Sequence, residues 1–347
     1  MATIHDVAAL AGVSVSSVSN VLNKRSSKLS AATFKRVEQA IDTLDYRPNL
    51  IARQLKTGHT PMLGLLVPST ANPMYGQIAQ EIEKSAQKLF GYRLLLGNTH
   101  RNPSEEAGMF QDLLSFGIRS VIVVSSMADE AHMEEAALNG LSVVSFDRTT
   151  PAEAGSRIDH VAPDNFRAGY LAADHLLAYG HKHLAFLVPR GRTVSRSNKI
   201  NGFLSRVNDS TGTATAEVIE GSIAESFGDS ELAELGSAMA VQIAQMQPRP
   251  TAIVTVNDML AIGLLSGLHR VGLRVPQDIS VVGMDDLSIA AFTNPGLTTV
   301  AMPLVAMADA MVQRAIQRVT QPEMAPGSFI FQPTLVERHS VAAPARK

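Results

Sequence analysis

The chain has 347 residues, of which 45% are hydrophobic and 18% charged, with a formal net charge of −2. A single core stops growing below that length, so two or more domains are expected, and the absence of cysteine excludes disulfides, thiolate nucleophiles and cysteine-held zinc. No basic segment followed by an apolar run opens the chain, and no stretch approaches the roughly 18 apolar residues of a membrane span, so a soluble protein of the reducing cytoplasm with no membrane partner is expected.

The near-neutral total conceals a division near residue 60. Residues 1–60 carry eight Lys and Arg against four acids, a balance of +4, which leaves −6 for the remainder. A small basic head on an acidic body suits a DNA-binding module attached to something else. Thr3 and Asp6 have the spacing of a capping box for a helix over about 4–11, and Gly12 then breaks it. Ser14 can cap a second helix in which Val18, Val21 and Leu22 fall at helical spacing, with Val7, Leu10 and Val13 as packing partners. Ser30 caps a third, whose Phe34, Val37, Ile41 and Leu44 form one apolar stripe.

The string from Thr3 to Asn23 closely resembles the head of the lac repressor and purine repressor family, with Thr3-x-x-Asp6-Val7-Ala8, Ala11-Gly12-Val13-Ser14 and Val18-Ser19-Asn20-Val21-Leu22-Asn23 in register. That resemblance implies a helix-turn-helix whose second helix lies in the major groove, with Val15, Ser16 and Asn20 as base readers. Asn pairs with adenine in bidentate fashion, Ser serves either strand, and Val meets a thymine methyl. Thr3, Ser17, Lys24 and Arg25 read as phosphate contacts that fix register. Plain helix capping remains the alternative for the serines.

Residues 48–58 follow, with helix-forming residues over only about two turns, a length marginal in water unless a partner supplies surface. Tyr46-x-Pro48-Asn49-x-x-Ala52-Arg53-x-Leu55 resembles the hinge motif of the same family. By that resemblance Leu55 and its dimer mate wedge into the minor groove and kink the duplex, Ala52 permits close approach of two hinge helices, and Asn49, Arg53 and Lys56 join the DNA contacts.

Beyond Gly58 short apolar runs alternate with amphipathic stretches. Met62–Val67, Tyr92–Leu96, Ser120–Val124 and Leu141–Phe146 read as buried parallel strands, with helices near 75–90, 104–116 and 130–138. A second series, Leu184–Val188, Glu217–Glu220, Ala252–Val256 and Ile279–Val282, repeats the pattern, and two doubly wound α/β lobes account for both. Segments such as Gly64-Leu65-Leu66-Val67-Pro68, Asn257-Asp258-Met259-Leu260-Ala261 and Gly283-Met284-Asp285-Asp286 resemble the periplasmic-binding-protein-like effector body of the same family.

The expected fold is therefore an all-α helix-turn-helix head (1–47), a hinge and linker (48–60) and an α/β two-lobed body with two doubly wound parallel sheets (61–347). The resemblance implies three crossings between lobes, near residues 162, 293 and 325. Lobe one then covers about 61–161 and 294–324, and lobe two about 163–292 and 326–341.

Open α/β sheets bind ligands beyond the carboxyl ends of their strands, which selects residues on either side of a cleft. Lobe one offers Ser69, Met74, Tyr75, His100, Asp147 and Arg148; lobe two offers Asp164, Ser195, Arg196, Lys199, Ile223, Asn257 and Asp285. Helix capping is the alternative for Asp164 and Asn257. Family members commonly carry Arg three residues before the Gly-Phe pair, here Gly202-Phe203, where this chain has Lys199. Lys is a point charge and does not reproduce a planar fork, so Arg196 can share the role, and the basic set Lys199, Arg196, Arg148 and His100 also suits an acidic ligand such as a sugar acid.

No dinucleotide fingerprint, phosphate loop or nucleophile elbow supports an enzyme, and His181-x-His183 is the nearest approach to a metal pair. No cofactor and no metal are expected. The resemblance implies a transcription repressor acting as a homodimer on a pseudo-palindromic operator and switched by a small molecule, most readily a sugar or sugar derivative. A purine-type corepressor and an exported sugar-binding protein are the alternatives; the DNA-reading head opposes the second. No apolar heptad follows the body, so no tetramerising coiled coil is expected.

Overall fold

The computed structural model describes residues 2–22, 29–46, 60–148, 155–191, 193–210, 212–222 and 231–345. The expected hinge, with Asn49, Ala52, Arg53, Leu55 and Lys56, lies outside the described residues, as do Lys24, Arg25 and Ile223. The chain divides into two units, Met1–Thr60 and Pro61–Lys347.

In the first unit α1 (Ile4–Ala11) starts with a complete capping box: Asp6 N donates to Thr3 Oγ1 at 3.3 Å, and Thr3 N donates to Asp6 Oδ2 at 2.8 Å. Such a cap contributes about 1 kcal/mol. Gly12, with φ 61°, ends the helix in the left-handed conformation. The chain then enters α2 (Val15–Leu22), where Ser17 N donates to Ser14 Oγ at 3.2 Å, and later α3 (Ala31–Thr43), capped by Ser30. Small side chains meet at the centre: Val7, Ala8, Ala11, Val18, Val21, Val37 and Ala40 are buried, so three short helices approach closely. Leu10 does not join them. It is 54% exposed, because α1 turns its Val7–Ala11 face inward and leaves Leu10 outside.

The second unit carries two six-stranded sheets. Lobe one is built from β1 (Met62–Val67), α4 (Pro73–Phe90), β2 (Arg93–Asn98), α5 (Pro103–Ser115), β3 (Ser120–Val124), α6 (Ala131–Leu138), β4 (Ser142–Phe146) and β5 (Asp159–Pro163). Lobe two follows with α7 (Asn165–Ala178), β6 (His183–Pro189), α8 (Val194–Asn208), β7 (Thr215–Gly221), α9 (Leu232–Gln245), β8 (Ala252–Thr255), α10 (Asp258–Arg270), β9 (Ser280–Asp285) and β10 (Thr298–Ala301). The chain then returns through α11 (Leu304–Thr320) and β11 (Ser328–Phe331), and ends on β12 (Thr334–Val336). The strand orders are β11-β5-β4-β3-β1-β2 and β12-β10-β9-β8-β6-β7, parallel throughout except for antiparallel β12.

Three features differ from the sequence reading. Among the described residues β2 is an edge strand, paired with β1 alone, and Leu96 on it is 44% exposed, so it is not a buried strand. The second crossing comes after Ala301 and not near residue 293, because Thr298–Ala301 pairs with β9 in the sheet of lobe two. The third comes at residues 332–333, after β11 has paired with β5, and not near 325. The returning segment is fixed to lobe one by the fully buried Asp159, whose Oδ1 lies 2.7 Å from Arg314 and Oδ2 3.0 Å from Arg318, both on α11. A buried carboxylate is costly unless paired, and here two guanidiniums and the Gly327 amide satisfy it.

Candidate functional site

On the head, the exposed side of α2 presents Ser16, with Val15, Ser17 and Asn20 half-buried beside it. Val18 and Val21 point the opposite way into the core. Ser17 Oγ lies 3.0 Å from Ser14 Oγ, and the Thr3 hydroxyl donates to Asp6 Oδ2 at 2.8 Å, so both expected phosphate contacts also work within the helix starts. Hydrogen bonding to Thr3 holds the Asp6 carboxyl below its usual value, consistent with a charged first-turn cap.

In the body a polar cavity lies between the carboxyl ends of the two sets of strands. Of the residues expected there, Met74, Tyr75 and Asp147 line it from lobe one, and Ser195, Arg196, Lys199, Asn257 and Asp285 from lobe two. Four others do not. Ser69 is buried in the turn before α4, where its Oγ accepts from Ala71 N. His100 is exposed: it and Arg101 are consecutive left-handed residues, with φ 50° and 56°, and the turn sends Arg101 inward instead. Arg148 turns into lobe one, 2.6 Å from the Glu130 carboxylate. Asp164 caps α7, accepting from Arg167 N at 2.8 Å. His181, half of the sequence's nearest metal-like pair, is spent on Thr251, Ser280 and the Ala342 carbonyl.

Arg101 itself, with Asn72, Thr193, Val256 and Met302, also lines the cavity and was missed. The rule of strand ends reaches Arg101 and Val256 if the strand is extended by a few residues. Asn72 before Pro73 carries the signature of a helix start and accepts from Met74 N at 3.1 Å. Met302 follows β10, the strand assigned to the wrong side of the crossing.

Two hydrogen-bonded devices shape this cleft. The first joins the lobes directly: Val194 N and Ser195 N, first-turn amides of α8, donate to Ser126 O at 2.9 Å and Ser126 Oγ at 3.1 Å. Ser126 follows β3 with φ 57° and its hydroxyl donates to the Asp147 carbonyl at 2.7 Å, so one lobe-one serine satisfies free amides of a lobe-two helix. The second is the fully buried Asp258, whose Oδ2 accepts from Leu287 N at 2.8 Å and Oδ1 from Thr299 Oγ1 at 2.6 Å. Burial, reinforced by the nearby Asp285, pushes the Asp258 carboxyl well up. This brace holds the turn that presents Asp285 to the cavity, with Asp285 at φ 119°, and that sends Leu287 into the core of lobe one. No Cβ fits at Gly283, where it would stand 2.1 Å from Asp258 Oδ1.

Residues 3–49 match the model of bacterial regulatory proteins of the lacI family, and residues 173–341 match that of the periplasmic binding protein-like domain. The chain is 31% identical over 347 residues to the HTH-type transcriptional repressor PurR of Aliivibrio fischeri, covering 99% of each chain. The chain belongs to the lacI family. As a lacI-family member it is a DNA-binding transcriptional repressor and not an enzyme.

Among solved structures, this lacI-family chain is similar to the lac repressor dimer bound to operator and the anti-inducer ONPF, with TM-score 0.81, 26% identity and coverage of 99% of each chain. It is also similar to the complex of the transcriptional regulator CelR with cellobiose, with TM-score 0.69, 25% identity and coverage of 98% and 100%. No helix among the described residues is long and apolar enough to cross a membrane.

Proposed function

We propose that this repressor binds a pseudo-palindromic operator as a homodimer in the cytoplasm, and that a sugar or sugar derivative held in the cleft switches it. The observation that carries the reading is the convergence of polar side chains from both lobes on one cavity, Asp147 and Tyr75 from one side and Ser195, Lys199 and Asp285 from the other. A ligand held by both lobes binds one relation between them better than another, which is what a switch requires. The operator-bound lac repressor dimer and the cellobiose complex of CelR support the two halves of the proposal. Val15, Ser16 and Asn20 read base edges in it, Thr3, Ser17, Lys24 and Arg25 meet phosphates, and the 49–56 segment carries the minor-groove wedge at Leu55.

The test is selection of binding sites from a random duplex library with the purified protein, followed by affinity measurements on the selected site across sugars, sugar acids, sugar phosphates and purines. The expected result is an inverted repeat whose affinity changes with one class of compound, the sign giving inducer or corepressor. Enrichment of a single unrepeated site, or indifference to every compound, overturns the corresponding half. A purine corepressor is the second reading, favoured by the Tyr75 ring in the cavity wall, and a purine that tightens operator binding selects it.

A further inference from the structure

Among the described residues three cations line the cavity, Arg101 and Arg196 at 6% exposure and Lys199 at 9%. Arg101 donates to Tyr75 Oη at 2.8 Å and to the Ser125 carbonyl, and Arg196 donates to the Gly191 carbonyl at 2.9 Å. Lys199 is the ammonium among them. Its Nζ donates to the Val256 carbonyl at 3.2 Å, and among the described residues it has no carboxylate within ion-pair distance. An ammonium has three donors and no acceptor, and burying it against one neutral oxygen leaves its desolvation largely uncompensated.

The backbone leaves Lys199 little freedom to retreat. Gly169 of α7 lies directly beneath it, and a Cβ there would stand 1.9 Å from the Lys199 carbonyl oxygen. The α7–α8 crossing therefore fixes the point from which the side chain leaves, one turn beyond Ser195 and on the same cavity wall. Asn257 stands on that wall too. Its Oδ1 is spent on Leu260 N at 3.0 Å, which leaves Nδ2, a donor, to meet a ligand. Among the described residues the carboxylates of the lining are held by other elements: Asp147 follows β4 and accepts from Asn165 Nδ2 at 2.8 Å, while Asp285 ends β9. Among the described residues the cavity thus has a donor-rich corner and separate carboxylates suited to hydroxyl groups.

Resting on the effector reading above, we infer that the ligand is a small polyhydroxylated anion, whose carboxylate or phosphate group pairs with Lys199 while its hydroxyls donate to Asp147 and Asp285. A neutral sugar returns dipoles to the buried ammonium; an anion returns a full opposite charge where the surroundings screen it least.

The experiment is calorimetric titration of the full-length protein with matched probes: galactose and glucose, galacturonate and gluconate, and galactose 1-phosphate and glucose 6-phosphate. The wild type is expected to bind one acid or phosphate at least tenfold tighter than its neutral counterpart, with the sugar-acid and sugar-phosphate arms deciding which anionic group it takes. Lys199→Met is expected to abolish that ratio and Lys199→Arg to keep at least part of it, with thermal melting of each variant recorded to show that it folds. Tighter binding of a neutral sugar, or an undiminished anion preference in folded Lys199→Met, overturns the anion inference and leaves the effector reading standing. Absence of binding in every arm up to millimolar concentration overturns both.

Discussion

His181 shows how one side chain ties the end of the chain to lobe two. It is 2% exposed, with Nδ1 3.0 Å from Thr251 Oγ1 and Nε2 2.9 Å from the Ala342 carbonyl and 3.1 Å from Ser280 Oγ. A carbonyl only accepts, so Nε2 carries the proton of a neutral ring. Burial pulls its pKa below the usual 6.5, helped by His175 nearby and opposed by the Ala342 carbonyl. A folded-state value below the unfolded one means the unfolded chain takes up the proton first, so the contribution is complete above pH 6.5 and lost as pH falls through the folded value.

His181→Asn is therefore expected to cost about 1–3 kcal/mol at pH 7.5. It should also flatten the fall in melting temperature on acidification to pH 5. An unchanged slope in the variant would remove His181 from the account. Single residues also explain why the site was only partly readable. The sequence left Asn257 and Asp164 between cap and ligand contact: Asp164 is a cap off the cavity, and Asn257 both caps α10 and lines the cavity, because its two terminal atoms face different ways. One-letter patterns carry no information about such a division.

At the scale of elements, the pairing of α7 with α8 carries the cleft wall. A Cβ at Gly202 would stand 1.8 Å from the Phe166 carbonyl oxygen, as one at Gly169 would crowd Lys199, so the two backbones touch at both glycines. Gly202→Ala must part the helices. The expected loss is about 3 kcal/mol in urea unfolding, with weakened ligand binding because α8 carries Ser195 and Lys199; a change within about 0.5 kcal/mol would show that the crossing yields freely. Elements with an apolar texture were legible: β1, β3, β4, β6, β8 and β9 all fall on runs the sequence displays. Two of the strands that escaped, β5 and β10, open on polar residues that are buried in fact. β5 opens Asp159-His160 and β10 opens Thr298-Thr299, all four at most 5% exposed, with the Asp159 carboxylate, His160 Nε2 and the two threonine hydroxyls bonded to partners far along the chain. β10 adjoins the second crossing, which is why that position slipped by several residues while the two-lobe architecture did not.

For the whole molecule, the asymmetric charge predicts salt-dependent operator binding, since each phosphate neutralised contributes about −0.9 to the slope of log affinity against log salt. Leu55→Ala is expected to weaken binding to the selected operator about tenfold or more and to leave random-sequence DNA nearly unchanged, the salt slope being preserved, as befits an apolar wedge. Equal losses on both DNAs would dismiss the wedge. The threefold passage between lobes carries a separate consequence, for biosynthesis. The core of lobe one takes Met307, Met311 and Ile316 from α11, and its sheet ends on β11, where Phe329 pairs with Val161. Leu63 and Leu65 of β1 and Ile82 of α4 therefore leave the ribosome uncovered on this side and wait more than 200 residues for α11 to arrive. The head has no such debt, because its core closes within the first 46 residues. The nascent chain thus carries a finished DNA-reading module ahead of an apolar, incomplete body, and it is the body that needs shelter from aggregation until α11 and β11 have been made.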